Sequence, residues 1–170
     1  MTRLFFAAWP DARSAAALAA LAGRLAAEAG GKAMPEAKIH LTLAFLGAID
    51  DAKRAAAIDA AWSTAWKAFE LAVDQTGSFR RARVAWAGVS NPPRPLLSLQ
   101  SALEGALRGR GIELDDRPFA PHMTLVRNAA RAVPGSSIEP IAWRVDAFTL
   151  VRSETGTGRY FIEERWAPRD

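Results

Sequence analysis

Apolar residues along the chain fall into short runs separated by longer stretches of helical periodicity, a pattern typical of strands alternating with helices. The short runs predict strands at residues 4–9, 38–46, 69–73, 83–89, 121–127, 143–151 and 159–166. The longer stretches predict helices from Pro10-Asp11 to Ala29, from Asp50-Asp51 to about Lys67, and over residues 96–110. Between them we expect turns at 75–78 and 156–158 and an irregular loop over 129–140.

The order strand, helix, strand occurs twice, and each time the second strand contains a histidine. Phe5 precedes His40 by 35 residues, and Trp86 precedes His122 by 36 residues. This spacing indicates an architectural duplication within one domain, residues 1–170. We therefore predict an α+β fold of two similar sheet-and-helix halves, with one histidine strand from each half lining a shared cleft.

The composition is that of a compact globular protein: half of the 170 residues are hydrophobic and 24% are charged. The formal net charge is +4, which favours an anionic partner but equally suits ordinary solubility. The chain has no cysteine, and its apolar N-terminal run is broken by Pro10 and Asp11 before it reaches the length of a signal peptide core. We expect a cytoplasmic monomer without membrane contact.

The two histidines of the chain lie in matching frames, His40-Leu41-Thr42-Leu43 and His122-Met123-Thr124-Leu125. Because side chains alternate along a strand, each histidine shares a face with its threonine. By the same alternation Phe45 is expected on the opposite face from His40, and Val126 on the same face as His122. Each histidine alone could be a half-buried structural residue, but the repeated frame favours one joint site.

Two imidazoles and two hydroxyls suit in-line displacement at phosphorus. One histidine can act as general base and the other as general acid near neutral pH, while the hydroxyls bind the charged oxygens. A catalytic zinc site is disfavoured, since it generally needs three protein ligands and the motifs offer two. No G-x-S-x-G motif indicates a serine hydrolase. We therefore predict phosphodiester hydrolysis with no cofactor and no metal.

The motifs resemble those of the 2H phosphoesterases, and in particular the LigT-like bacterial RNA 2′,3′-cyclic phosphodiesterases. The resemblance rests on Lys38–Gly47 and Arg117–Arg127, and it extends to residues 3–7, 83–88 and 158–166. It implies a two-lobed α+β fold with a pseudo-twofold axis through the cleft. The implied substrate is RNA with a 2′,3′-cyclic phosphate end, opened by water to a 2′-phosphomonoester, with 2′-5′ ligation as the reverse type of reaction.

The resemblance also implies a role for each residue of the motifs. His122 would accept the proton of the attacking water, and His40 would donate a proton to the leaving 3′ oxygen. Thr42, Thr124 and Arg127 would bind the phosphate. The residues alone do not orient the two histidines, and on a regular strand Arg127 would face away from them unless the strand bends at its end.

A basic segment around one aromatic residue is a second candidate surface. Phe79, Arg80, Arg81 and Arg83 could follow an RNA backbone and stack on a base, or form a solvated strand edge. We expect Trp86 and Trp143 in the core, and one of Phe5 and Phe6 in the cleft. Alternative functions remain a 2′-5′ oligonucleotide or small cyclic nucleotide phosphodiesterase, or a noncatalytic nucleotide- or RNA-binding module.

Overall fold

The computed structural model describes residues 2–169, and within them nine strands form one antiparallel sheet accompanied by three α-helices. The strands are β1 (Thr2–Ala8), β2 (Lys32–Ala33), β3 (Leu41–Gly47), β4 (Phe69–Phe79), β5 (Val84–Gly88), β6 (His122–Arg127), β7 (Ser136–Val145), β8 (Phe148–Glu154) and β9 (Tyr160–Trp166). The helices are α1 (Ala12–Ala29), α2 (Asp51–Ser63) and α3 (Arg94–Arg108), and a short 3₁₀ helix covers Glu36–Lys38.

The sheet has matching halves on either side of its middle. Its order is β7-β4-β5-β6-β3-β1-β8-β9, with β2 pairing beside β6. The histidine strands β3 and β6 meet at the centre, and each is flanked by the strand that precedes it through a helix, β1 or β5. The predicted α+β duplication is therefore confirmed, and its pseudo-twofold axis passes between β3 and β6.

Helices α1 and α2 begin where the sequence predicts, and α1 and α3 cross to the opposite half of the sheet. The Asp11 carboxylate accepts a hydrogen bond from the Ser14 amide at 2.8 Å, and Asp50 caps α2 through the Lys53 amide at 2.8 Å. Helix α1 packs against β5, β6 and β7, whereas α3 packs against β3. This exchange ties the halves together through one hydrophobic core.

Strand β1 shows how one sheet separates the core from the site. Leu4, Phe6 and Ala8 belong to the main core, while Phe5 and Ala7 belong to a small separate cluster on the other face. Strand alternation produces this division. Phe6 is thus the core member of the predicted pair and Phe5 the residue on the cleft face.

Three predicted boundaries are wrong, each because pairing between distant strands outweighs local sequence. Residues 75–78 are not a turn, since β4 continues to Phe79 and pairs with both β5 and β7. The loop expected over 129–140 is partly β7, an edge strand in which Pro140 is tolerated. Residues 143–151 are not one strand, because β7 ends at Val145 and β8 starts at Phe148.

Smaller shifts affect two elements. Helix α2 ends at Ser63 rather than near Lys67, and β3 starts at Leu41 because the 3₁₀ helix occupies residues 36–38. The turn predicted at 156–158 joins β8 to β9. Within residues 2–169, no helix is both long and apolar enough to cross a membrane. Met1 and Asp170, the ends of the predicted domain 1–170, lie outside the described residues.

Candidate active site

The register between β3 and β6 brings the two motifs into one site. Leu41 pairs antiparallel with Met123. Continuing this register by one residue in each direction sets His40 opposite Thr124 and Thr42 opposite His122. Opposite residues of such a pair have Cβ atoms about 5 Å apart, and diagonal neighbours lie about 7–8 Å apart. On this register the two imidazoles form one diagonal and the two hydroxyls the other.

A backbone hydrogen bond fixes both imidazoles in the same way. His40 Nδ1 lies 2.7 Å from the Lys38 carbonyl oxygen, and His122 Nδ1 lies 2.7 Å from the Ala120 carbonyl oxygen. A carbonyl only accepts, so in each ring Nδ1 is the protonated, donating nitrogen. Nε2 is left as the atom that takes up or releases a proton in both histidines.

His40 is held in a cage of three aromatic rings. Phe5 stacks on the imidazole with ring centroids 4.9 Å apart, and the rings of Trp9 and Tyr160 lie 5.0 and 5.7 Å away. Trp9 is itself fixed, because its Nε1 donates to the Thr149 hydroxyl at 2.8 Å. The cage orients His40 and leaves it half-buried.

Burial lowers the pKa of His40 from 6.5 to about 4, because the aromatic cage disfavours a charged imidazole. The hydrogen bond to the Lys38 carbonyl opposes this shift, and the positive charges of Arg127 and His122 add to it. His40 is therefore neutral in the free protein at pH 7.

His122 has a different aromatic environment. The ring of Phe79 meets it edge-on at 4.9 Å, and the indole of Trp86 lies 6.4 Å away. Trp86 is opposite Thr124 in the register of β5 with β6, so it belongs to the site face of the sheet. The prediction that Trp86 is a core residue is wrong, whereas Trp143 is buried in the core with 1% exposure.

The Trp86 indole lies against two glycines, which explains how so large a ring fits beside the site. A Cβ atom at Gly77 would come within 2.4 Å of the indole, and one at Gly88 within 2.9 Å. Gly77 is opposite Trp86 in the register of β4 with β5. Both positions must therefore stay without side chains for the indole to keep this orientation.

A β-bulge accounts for the position of Arg127. Ala85 and Trp86 of β5 pair with Val126 and Thr124, so Leu125 is an extra residue in β6. The bulge shifts the alternation by one residue, which leaves Val126 buried and Arg127 exposed on the face of His122 and Thr124. The bend anticipated for Arg127 is thus a bulge, and the expectation that Val126 shares the face of His122 is wrong.

The same irregularity occurs at the matching place in β3. Phe6 and Ala7 pair with Ala44 and Thr42, so Leu43 is the extra residue. Phe45, at the position that corresponds to Arg127, is 52% exposed, whereas Leu46 is buried. Strand alternation alone predicts that Phe45 shares the buried face of Leu41. The structure shows that it does not.

The predicted basic segment separates into residues with different surroundings. Phe79 is the edge-on partner of His122, and Arg80 lines a groove beside Trp86. The Arg83 guanidinium donates to the carbonyl oxygens of Ala129 and Asn128, at 3.1 and 3.3 Å. Arg83, with φ of 53°, thus braces the loop that follows β6 while it remains exposed. Arg81 is exposed.

Sequence reasoning did not select Trp9, Tyr160 or Phe45. The sequence offers one signal for each of two of them. Tyr160 is the only tyrosine of the chain, and Trp9 ends the first apolar run. Among residues 2–169, no group of three or more histidines, aspartates and glutamates is placed to hold a metal ion. The groups gathered at the cleft are those of acid–base chemistry on an anion.

Comparison with known proteins finds one family. The model of the 2′-5′ RNA ligase superfamily matches residues 9–157. An Escherichia coli protein named RNA 2′,3′-cyclic phosphodiesterase is 36% identical over 143 residues, covering 81% of this chain and 80% of the relative. A Thermus thermophilus protein of the same name is 29% identical over 172 residues, covering 89% of this chain and 82% of the relative.

Solved structures show the same similarity at the level of the fold. The crystal structure of Escherichia coli LigT complexed with 3′-AMP superposes with a TM-score of 0.88 at 33% sequence identity. The alignment covers 99% of both chains. The similarity therefore includes both halves of the sheet and the cleft between them.

Proposed function

Because the chain belongs to the 2′-5′ RNA ligase superfamily, we propose that it is an RNA 2′,3′-cyclic phosphodiesterase that opens the cyclic phosphate with water and without a metal ion. The observation that supports this most directly is the crossed arrangement at the centre of the sheet. Two imidazoles with matched Nδ1 hydrogen bonds lie on one diagonal of the register between β3 and β6. The names of the relatives favour an RNA 2′,3′-cyclic phosphate as the substrate.

The reaction requires one proton to be removed and another to be supplied on opposite sides of phosphorus. His122 Nε2 accepts a proton from the attacking water, and His40 Nε2 donates a proton to the departing 3′ oxygen. The P–O3′ bond breaks as the new P–O bond forms, and the product is a 2′-phosphomonoester. Displacement in line needs the base and the acid on opposite sides of the phosphate, as the diagonal arrangement allows.

Thr42, Thr124 and Arg127 stabilise the negative charge that grows on the nonbridging oxygens. Each threonine lies beside the histidine of the other motif, so the hydroxyls approach the phosphate from the two remaining corners. Arg127 adds a positive charge from the end of β6. Donors fixed before the reaction need no reorganisation as charge develops, and each contributes about 3 kcal/mol in comparable sites.

The neutral state of free His40 sets a condition on this mechanism. With a pKa of about 4, the imidazole becomes a proton donor only when the anionic phosphate lies against it. The substrate then supplies the charge that stabilises the protonated ring, which couples acid formation to binding.

The test is turnover of an oligonucleotide with a 2′,3′-cyclic phosphate end, in the presence of a chelator. We expect hydrolysis to persist with chelator, and His40→Ala and His122→Ala each to lower turnover at least about 10²-fold with the fold intact by circular dichroism. Unchanged turnover in either variant contradicts the two-histidine mechanism. Loss of activity with chelator contradicts its independence of metal.

The same assay separates the alternatives. A 2′-5′-linked dimer turned over faster than the cyclic-phosphate end would indicate a 2′-5′ phosphodiesterase. Tight binding of the oligonucleotide without turnover would indicate a noncatalytic RNA-binding module. Size-exclusion chromatography checks the predicted monomer.

A further inference from the structure

One lysine side chain joins the first histidine motif to the hairpin of β8 and β9. The Lys38 ammonium group donates to the Gly158 carbonyl oxygen at 2.6 Å. Gly158, with φ of 65°, belongs to the turn of this hairpin. In the described structure, the other hydrogen bonds of residues 155–159 stay within the hairpin. Lys38 is therefore the hydrogen-bonded link between this turn and the first motif.

The same ammonium group lies against the aromatic cage of His40. It stands 5.4 Å from the centroid of the Tyr160 ring, a distance at which a cation is attracted to the ring. No carboxylate within residues 2–169 forms an ion pair with Lys38, so its charge is set against an aromatic ring and a backbone carbonyl. Tyr160 follows Gly158 by two residues, and a displaced turn would therefore displace the ring.

His40 contacts Lys38 directly and through Tyr160. Its Nδ1 atom lies 2.7 Å from the Lys38 carbonyl oxygen. Its ring meets that of Tyr160 edge-on at 5.7 Å, and Tyr160 also contacts the rings of Phe5 and Trp9, at 5.4 and 6.4 Å. The imidazole is thus held on one side by the backbone of Lys38, and on another by a ring that the side chain of Lys38 anchors.

The second histidine shows that the side-chain link is special to the first. His122 has the same Nδ1 hydrogen bond, but its acceptor is the carbonyl oxygen of Ala120, which occupies the position that corresponds to Lys38. The aromatic neighbours of His122 are Phe79 and Trp86, which belong to β4 and β5. An alanine side chain offers no group that could tie a turn to the second motif. The duplicated backbone therefore carries this link in one half of the fold.

We propose that Lys38 is a positioning residue for His40, which anchors Tyr160 through its ammonium group and orients the imidazole through its carbonyl oxygen. The proposal rests on the proposed function, in which His40 is the acid of the reaction. A proton reaches the departing oxygen efficiently only when Nε2 is aligned with it, so a loosened cage lowers turnover. A loosened cage also exposes the imidazole further, which favours its charged form.

The test uses substitutions that break the link and leave the backbone carbonyl in place. Lys38→Met keeps a long side chain without the ammonium group, and Lys38→Arg keeps a cationic donor. Lys67→Met, at an exposed position after α2, is the matched control for loss of one lysine charge. Tyr160→Ala, alone and combined with Lys38→Met, completes a double-mutant cycle. Circular dichroism verifies that each variant is folded.

The first measurement is the NMR titration of free His40. We expect Lys38→Met to raise the proton affinity of His40 about tenfold, and Lys67→Met to leave it unchanged. Lys38→Met preserves the other charged and titratable groups around the imidazole. Those that contact it, act on its charge or share its sheet face on neighbouring strands are Arg3, His122, Arg127, Tyr160 and Arg165.

The second measurement is turnover of 2′,3′-cyclic AMP and of ApA ending in a cyclic phosphate, each at the pH optimum of the protein tested. We expect Lys38→Met to lower kcat about tenfold on both substrates and to change KM less than about twofold, because the lysine orients the acid and does not bind the phosphate. Lys38→Arg should stay nearer to the wild type. In the Tyr160→Ala background, Lys38→Met should have no further effect on kcat or on the proton affinity of His40.

Four results would overturn the proposal. An unchanged titration of His40 in Lys38→Met would mean that the lysine does not hold the cage, and an equal change in Lys67→Met would reduce its effect to net charge. Additive effects in the double variant would separate Lys38 from Tyr160. A higher KM confined to cyclic-ended ApA would make Lys38 a contact for the RNA chain. Failure of the wild type to hydrolyse both substrates instead contradicts the proposed function, while the titration still tests the link to His40.

Discussion

Binding of a phosphate anion is expected to convert His40 from a neutral imidazole to a protonated one at pH 7. Burial among Phe5, Trp9 and Tyr160 holds the pKa of free His40 at about 4. At pH 7 only about one free molecule in a thousand then has a protonated His40. A proton donor in the proposed reaction must therefore gain its proton affinity from the substrate.

The magnitude of that gain follows from Coulomb's law. One negative charge about 4 Å from Nε2, at an effective dielectric constant of about 20, stabilises the imidazolium by about 4 kcal/mol. Each 1.36 kcal/mol changes proton affinity about tenfold, so this attraction corresponds to roughly a thousandfold gain. That gain is of the size needed to protonate His40 in a large share of complexes at pH 7.

Titration of the imidazole resonances by NMR measures the change directly. The chain has two histidines, and His122→Ala leaves the signals of His40 alone. We expect the free protein to show a neutral His40 down to about pH 5, and the complex with 2′-AMP to show a protonated His40 near pH 7. Tyr160→Ala, which opens the cage to water, should raise the pKa of free His40 toward 6.5.

Two results would refute the reasoning. A free His40 that titrates near 6.5 would mean that the aromatic cage does not exclude water as the contacts indicate. A His40 that stays neutral at pH 6 with 2′-AMP bound could not donate the proton, and the roles of the two histidines would have to be exchanged.

Further outcomes are expected for the phosphate contacts, the glycines and acid stability. Thr42→Val and Thr124→Val keep the side-chain shape but remove a donor. Each should lower kcat/KM by an amount that corresponds to a loss of about 2 to 4 kcal/mol in transition-state stabilisation. An unchanged kcat/KM would show that the threonine does not bind the phosphate. Gly77→Ala should displace the Trp86 indole and lower both the melting temperature and kcat/KM, because the new Cβ would meet the ring at 2.4 Å. Gly23→Ala, at a helical position with open space around it, should raise the unfolding free energy by about 0.5–1 kcal/mol, and a loss of stability there would contradict the packing of α1. Because the unfolded chain takes up a proton at His40 near pH 6.5 and the native protein only near pH 4, the unfolding free energy should fall by up to about 3 kcal/mol between those values. Urea unfolding of the wild type and of His40→Gln at pH 7.5 and 4.5 checks this, since the variant should lose less stability.

Much of the fold and the centre of the site could be predicted from local sequence. The twin histidine frames, the spacing from Phe5 and Trp86, and the helix starts at Asp11 and Asp50 are all short-range signals. Where β4 ends could not be predicted, because residues 75–78 have turn-like composition but all pair with β5, and Gln75 and Thr76 pair with β7 as well. Pairing between distant strands outweighs such composition only after the chain has folded.

The faces of Arg127 and Phe45 could not be predicted for a related reason. Strand alternation is a rule about regular strands, and a single inserted residue reverses it for everything that follows. The bulges at Leu43 and Leu125 occur at matching places in the two halves. Nothing in the side chains of these two leucines distinguishes them from paired strand residues, so the reversal becomes visible only in the register.

The symmetry of the fold also explains why the two histidines need not be chemically equivalent. The backbone makes them alike, with the same Nδ1 hydrogen bond and the same crossed register. The flanking strands differ: Thr42 is opposite Ala7, while Thr124 is opposite Trp86. Two different side chains at these matching positions place a small residue near the aromatic cage of His40 and a large indole beside His122. Unlike neighbours can thus make the two histidines of a duplicated backbone chemically different, although their own hydrogen bonds are the same.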